Sequence, residues 1–353
     1  MTRTAFVGTY TEGDSDGIYH LEVSGGDDPA LDRTGVTAVE DNPSFLAAHP
    51  TEPVRYAVHE VAGGGATAFR VESDGSETEL TNLGRVESGA DGPCHCSVHP
   101  AGDHLLVAHY TGAAVSVLPV DADGALGDPT HVVERAGSSE HPERQTQAHP
   151  HSVTPGPDGR YVYVPDLGTD EVVVYALDAD AGRLNRAGSV DARSGAGPRH
   201  LDFGPDGRFA YVINELDSTL TAYERDPGTG ALDPIDTAST LPDGFDGDNV
   251  TADVHVHPSG EWVYGSNRGH DSVAVFGIES DGTLDPRGTV PTGGAWPRNF
   301  ALAPDGRALF AENMHSDEVV AFRVDERTGD LEPAGAAVDV PDPCCLVLTG
   351  DAP

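Results

Sequence analysis

At 353 residues the chain can bury a large core, and its formal charge of −39, with 59 carboxylates and no lysine among its 20 basic residues, excludes a nucleic-acid backbone as partner. No run of about 20 apolar residues offers a membrane span, and the N-terminus lacks a secretory pattern, so no membrane partner and a cytoplasmic location are expected. Because the acids are spread along the chain, they read as a halophilic surface: at multimolar salt the screening length falls to about 3 Å or less and crowded carboxylates stop repelling one another.

In chain order, AFVGTYT from Ala5 and GIYHLEV from Gly17 alternate as strands, followed by a third strand near Thr34 to Val39. One module then recurs, reading PSFLAAHPTEPVRYAV from Pro43, PCHCSVHPAGDHLLVA from Pro93, PHSVTPGPDGRYVYV from Pro150 and PRHLDFGPDGRFAYV from Pro198. It continues as TADVHVHPSGEWVYG from Thr251, PRNFALAPDGRALFA from Pro297 and PCCLVLTG from Pro343. Each copy is an inner strand, a tight turn and a second apolar strand. In the fourth module FAYVINEL, TLTAYERD and ALDPIDTAS supply the remaining strands. The PDGR turns at Pro157, Pro205 and Pro304 carry the Asp and Gly that a sharp reversal requires. No amphipathic helix of ordinary length is present.

A module of about 50 residues holding four short strands specifies an all-β fold, a seven-bladed β-propeller of four-stranded antiparallel blades. The last module begins at Pro343, so the inner strand CCLVLT needs the strands of residues 1–42 to complete its blade, which would remove the open edges of the ring. No linker interrupts the modules, and a single domain over 1–353 is expected.

Pairing each inner strand symmetrically with the next places its first residues beside the end of its partner, at the mouth away from the PDGR turns. In the fourth module this sets Arg199 opposite Asn214 and beside Glu215. The same register brings Ser44, Cys94, His151, Ala252, Arg298 and Cys344 to that mouth, followed by Phe45, His95, Ser152, His200, Asp253, Asn299 and Cys345. Strand ends add Tyr10, Glu60, Tyr110, Asp166, Asn267 and Arg268. A mouth rich in Arg, His and Asn suits a small anion, since guanidinium forks match carboxylate and phosphate.

Cys94 and Cys96, two apart on one strand, are expected to face the same side, and the adjacent Cys344 and Cys345 lie on another inner strand. The spacing is not that of a zinc site, so no metal is expected and the four read as small buried residues. Neither a phosphate-cradling glycine loop, a GxSxG elbow nor an HExxH pair occurs.

The strings GAGPRHLDFGPDGRFAYVINELDSTLTAY, ADVHVHPSGEWVYGSNRGHDSVAVF, PERQTQAHPHSV and NPSFLAAHP together resemble the seven-bladed propeller lactonases. That family includes the propeller-type 6-phosphogluconolactonases and is related to the carboxy-cis,cis-muconate cyclases. The resemblance spans the chain, departing at HEVAGGG and at AHY, where relatives read NE and ANY. It implies an active site of His151, Arg199, Glu215 and Arg268, with His255 and Arg298 as further matches; Asn214, Asp253 and His200 join them as candidate substrate-binding residues from the register. The implied reaction is hydrolysis of a sugar lactone such as 6-phosphogluconolactone, a step of carbohydrate metabolism and the pentose phosphate pathway. Either His151 or Glu215 would take the proton of the attacking water, and no cofactor is required. A muconate-type cyclase, or a propeller that only binds an anion or a protein, uses the same mouth differently. The sequence does not specify an oligomeric state.

Overall fold

A computed structural model describes residues 2–24, 29–73 and 78–349; residues 1, 25–28, 74–77 and 350–353 of the unit expected over 1–353 lie outside the described residues. Seven four-stranded antiparallel sheets form a β-propeller whose inner strands pack side by side around an axis. Blade 1 comprises Phe45–Ala48, Val54–Val58, Gly65–Ser73 and Thr78–Glu87; blade 4 comprises Pro198–Phe203, Phe209–Asn214, Thr219–Arg225 and Leu232–Ser239. Counting in chain order, blades 2, 3, 5 and 6 begin at Pro93, Thr154, Val250 and Pro297. Blade 7 joins Pro343–Leu348 to Thr2–Thr9, Gly17–Ser24 and Ala30–Ala38. The ring thus closes by backbone hydrogen bonds between the two ends of the described chain, with Phe6 paired to Val347 and Ala5 to Leu348. Among the described residues the helical content is one 3₁₀ turn, Met314–Ser316, and no helix there is long and apolar enough to cross a membrane.

Burial explains the module's pattern. The second strand of each blade is sandwiched between neighbouring blades, so Val54–Val58 and Phe209–Asn214 are buried throughout, whereas the outermost Thr78–Glu87 is mostly exposed. Apolar side chains interlock across each seam: Tyr211, Ile213 and Leu220 of blade 4 meet Val254, Val263 and Phe276 of blade 5. Each such side chain contributes about 1.5–3 kcal/mol by leaving water.

Two polar latches repeat around the ring. At the outer seams, the hydroxyls of Tyr56, Tyr161 and Tyr264 donate to the carbonyls of Gly124, Gly228 and Gly329 in the following blade. At the turn-side face, the histidine that ends the inner strand donates from Nε2 to a turn carbonyl of the next blade. His49 reaches Gly102 O at 3.0 Å, His99 reaches Gly159 O at 3.1 Å and His257 reaches Gly306 O at 2.9 Å. The aromatic body fills the seam while its polar end satisfies a carbonyl that would otherwise be stranded there.

Three local expectations are corrected. The pairing of blade 4 sets Pro198, not Arg199, opposite Asn214, because a β-bulge leaves Arg199 unpaired before His200 meets Ile213. The inner strand expected from Pro150 shrinks to Thr154–Pro155 plus a lone Pro150 to Asp166 bridge. Around that bridge the His151 amide donates to Pro165 O at 3.0 Å and the Leu167 amide to His149 O at 3.0 Å, and the Asp166 carboxylate accepts the His149 amide at 2.7 Å. Cys94 and Cys96 face opposite neighbours: Cys94 Sγ lies 3.4 Å from His151 O in blade 3, Cys96 Sγ 3.9 Å from Phe45 O in blade 1. The bulge at Cys94 breaks the period of two. All four cysteines are free and buried, and burial pushes their thiols up.

The latch can be tested at the seam of blades 5 and 6. His257→Ala strands the Gly306 carbonyl and is expected to lower the unfolding free energy by about 1–3 kcal/mol. Gly306→Ala, at a φ of +74° where an added Cβ runs into the His257 ring, should destabilise comparably. Thermal unfolding in concentrated KCl reads both variants; unchanged midpoints in the pair would remove the latch as a source of stability.

Candidate active site

The bulge that displaced the register is the device that furnishes the mouth. It recurs between Pro93 and His95, Pro198 and His200, and Pro297 and Asn299, and as a shift at Cys344 in blade 7. A bulge leaves one residue outside the ladder and turns its side chain. Here the released residues are Cys94, Arg199, Arg298 and Cys344, and all four line one small axial cavity with Tyr10, Ser44, Glu60 and His200. Its volume of about 10 Å³ suits a single water.

Glu215 is the hub of this mouth. It follows the strand Phe209–Asn214, is anchored by its amide on Gly197 O at 2.7 Å, and is 2 % exposed. Its Oε2 accepts Arg199 Nε at 2.9 Å and lies 3.0 Å from Arg268 Nη2, while Oε1 accepts Arg144 Nη2 at 2.5 Å. His151 Nε2 stands 3.9 Å from Oε2. The structure therefore brings His151, Arg199, Glu215 and Arg268 together, from a loop and two blades. Burial works to raise the Glu215 carboxyl, but Arg268, Arg199 and Arg144 outweigh it and hold the group well below the usual carboxylate range. His151 is driven the other way, kept neutral by burial and by the charges of Arg199 and Arg298 together with the nearby His200. Its Nδ1 is buried without a partner, as is Nε of Arg268. Burial and the neighbouring Arg199 and Arg298 press Arg268 down to about 9, so it remains a cation at neutral pH.

Arg298 stands across the small cavity, donating to the Tyr10 hydroxyl at 2.6 Å; Tyr10 in turn donates to Glu60 Oε2 at 2.7 Å, which also accepts Ser44 Oγ at 2.8 Å. Arg144, Arg199, Arg268 and Arg298 thus outnumber Glu215 and Glu60, leaving positive charge at one point of a strongly acidic chain. Field focused in a cleft attracts anions.

A second aromatic layer closes the channel beneath. The rings of Phe45, His95 and His200 meet, with Phe45 and His95 4.3 Å apart and His95 and His200 5.2 Å apart. His200 accepts Arg199 Nη1 on Nε2 at 3.1 Å and donates from Nδ1 to Asp253 at 2.6 Å. With both nitrogens so engaged, and burial and Arg199 depressing it, His200 titrates at about 4 and stays neutral. Below this layer Asp253 also accepts from Asn299 and from His255 Nε2 at 3.1 Å. His255 faces a lower chamber of about 660 Å³. Burial opposes its charge, but Asp253 and Asp202 overcome that and hold it as imidazolium. The lower chamber is larger than the axial cavity above it, yet Ala47, Ala48, Val98, Ala301 and Leu346 make up much of its wall and its one cation is already matched by carboxylates.

Asp253 and His255, grouped with the arginines in the sequence reading, therefore lie on the far side of the aromatic layer and support His200 from beneath. Asn214 is also displaced: its Nδ2 donates to the hydroxyls of Thr219 and Thr221 within blade 4, because the bulge gives its expected place at the mouth to Arg199.

Two residues at the mouth escaped sequence reasoning. Arg144 lies on the Ser138–Gln147 loop, pinned by Ser139 and Gln145 to Asp170 at 2.5 and 2.7 Å, and it also reaches the Tyr110 hydroxyl at 3.3 Å. Its signal was present in an acidic chain where every arginine asks for a reason, but a loop has no register to aim it. Trp296 stacks over Arg268 with 5.3 Å to the ring centroid, at a φ of +64° unusual for a bulky residue. The carboxylate of Asp271, accepting its amide at 2.8 Å, holds that strained backbone. Among the described residues, the cluster of His, Asp and Glu able to ligate a metal is His99, Asp103 and His104 at the opposite face, not at this mouth.

Comparison with known proteins places the chain in a family. The family model described as "Lactonase, 7-bladed beta-propeller" matches residues 4–348. A 6-phosphogluconolactonase of Bacillus subtilis is 36 % identical over 349 residues, covering 98 % of each chain. One from Formosa agariphila is 31 % identical over 340 residues, covering 93 % of this chain and 94 % of the relative. Among solved structures, the periplasmic gluconolactonase of Pseudomonas aeruginosa superposes with a TM-score of 0.90 at 32 % identity, covering 99 % of both chains.

The hub has a stability consequence. Glu215→Gln leaves Arg199 and Arg268 buried without their counter-charge and is expected to cost about 3–5 kcal/mol. Denaturant unfolding at constant salt measures it, and a loss under about 1 kcal/mol would mean that the arginines are neutralised elsewhere.

Proposed function

The chain belongs to the seven-bladed β-propeller lactonase family and is a lactone-hydrolysing enzyme; on that premise we propose that its substrate is a phosphorylated sugar δ-lactone, 6-phosphogluconolactone, opened to the acid by water that His151 activates. The observation carrying this reading is the division of labour at the hub. Glu215 has both oxygens occupied by arginines and is a poor base, while His151 is a neutral imidazole beside it.

In this scheme the lactone carbonyl enters the mouth and water attacks its carbon. His151 Nε2 takes the water proton, and Glu215, 3.9 Å away, stabilises the imidazolium that forms. The carbonyl oxygen becomes an oxyanion facing Arg268, whose Nε–H has no partner in the resting protein. As the tetrahedral centre collapses, the ring carbon–oxygen bond breaks and the departing oxygen recovers the proton from His151. Arg199 is fixed by Glu215, His200 and Ala252 O, and so holds the hub in place. Arg144, the half-exposed arginine on the loop, meets the phosphate. Phosphate bound there would draw Arg144 off Glu215 and make the carboxylate a better partner for His151.

The likeness to a gluconolactonase favours an unphosphorylated sugar lactone as the second reading. Assays in concentrated KCl against both lactones, corrected for spontaneous opening, separate the two. Arg268→Ala is expected to lower kcat/KM by about 10²–10³, and His151→Asn by about 10²–10⁴. Arg144→Ala should raise KM about tenfold for the phosphorylated lactone and leave KM for the unphosphorylated one unchanged, consistent with the worth of one charged hydrogen bond. Equal effects on the two substrates would remove the phosphate role. Because His151 titrates below the ordinary histidine value, its neutral form persists as pH falls. The acid limb of kcat/KM should therefore lie below pH 6.5; a limb above it would rule out His151 as the base.

A further inference from the structure

The three inner-strand histidines at the turn-side face share one job, and in blade 2 that job leaves something unfinished. In blades 1 and 5 both nitrogens of the ring are satisfied. His49 donates from Nε2 to Gly102 O, and its Nδ1 accepts the amides of Glu52 at 2.9 Å and Thr51 at 3.2 Å. His257 donates to Gly306 O, and its Nδ1 accepts the Ser259 amide at 3.1 Å. His99 keeps the same Nε2 donation, to Gly159 O, so its Nδ1 should again be a lone pair looking for a donor. The turn amide that supplies one, Ala101 N–H, donates at 3.4 Å, longer than the amide contacts of His49 and His257.

Nδ1 of His99 also meets the Asp103 carboxylate, at 2.8 Å. His104 brings a third atom: its Nδ1 lies 3.0 Å from the same Asp103 oxygen but outside hydrogen-bonding geometry, and it is buried without any partner. The His104 side chain is 8 % exposed, with its ring edge-on to His99. Three potential ligand atoms therefore converge on one point, with the buried His104 Nδ1 unpartnered among them, while Asp103 is about half open to solvent.

The geometry points to a divalent transition-metal site formed by His99 Nδ1, His104 Nδ1 and an Asp103 carboxylate oxygen, with water completing the shell. Imidazole nitrogen with one carboxylate selects zinc and its neighbours over magnesium or calcium. A cation held off the N···O line satisfies a His104 nitrogen that a straight hydrogen bond to Asp103 does not reach. The site also has a structural meaning. His99 is already latched to blade 3 through Gly159, and His104 packs beside Gly182 of that blade, so a metal here would brace the seam of blades 2 and 3. It lies at the turn-side face, at the opposite end of blade 2 from the arginine mouth, and is independent of the lactonase chemistry.

Chelator-treated protein, dialysed in concentrated KCl against one equivalent of zinc, should retain one zinc per chain and melt at a higher temperature than the metal-free form. Asp103→Asn and His104→Gln should each weaken retention at least tenfold and abolish the shift in midpoint, while lactone turnover is unchanged. Magnesium at the same concentration should not be retained. Two variants at separate ligands guard against misfolding of either one. Zinc retention that is equal in the parent and both variants, or absent from the parent, would overturn the site and leave a proton shared between the histidines and Asp103.

Discussion

The antiparallel pairing of Pro343–Leu348 with Thr2–Thr9 holds the ring shut, and every feature of the mouth depends on it. A blade by itself is a thin sheet that cannot cover its own apolar faces; only when each is pressed between two neighbours do second strands such as Val54–Val58 leave water completely. Closure also brings Tyr10, at the end of the N-terminal strand, beside Arg298 of blade 6 and Glu60 of blade 1. Without that bond the inner strands would have no common axis, and bulged side chains from different blades would not share a cavity.

Around the axis the protein separates two electrostatic tasks by a layer of rings. Above Phe45, His95 and His200, arginines surround Glu215; below, Asp253 and Asp202 surround His255. His200 is hydrogen-bonded to both groups. Its neutral ring fixes Arg199 without adding charge at the mouth, which is how a buried carboxylate on one side supports a guanidinium on the other. The cost of burying these ions is recovered through multiple charge-assisted hydrogen bonds to each, the condition under which buried charge is tolerated.

Much of this was legible in advance because a repeat reports itself. The recurring proline, inner strand and tight turn specified the number of blades and the closure by the N-terminus, and the family motifs singled out His151, Arg199, Glu215 and Arg268. The histidine latches were visible only as the HP that ends several inner strands; that Nε2 reaches the next blade became apparent once the blades were side by side. Arg144 could not be aimed from its sequence, since the Ser138–Gln147 loop is positioned by Asp170, a residue of a different segment.

What the amino-acid order determined alone was periodic: strand alternation, turn chemistry and the count of modules are local properties, repeated often enough to be unambiguous. Where side chains finally point was decided by tertiary structure. One unpaired residue per bulge overrides the period of two, sending Arg199 to the axis and withdrawing Asn214 into blade 4. The stacking of blades then sorted Asp253 and His255 to the other side of a barrier built from Phe45, His95 and His200, residues distant in sequence. A bulge and a barrier are both relations between strands, and no single strand carries them.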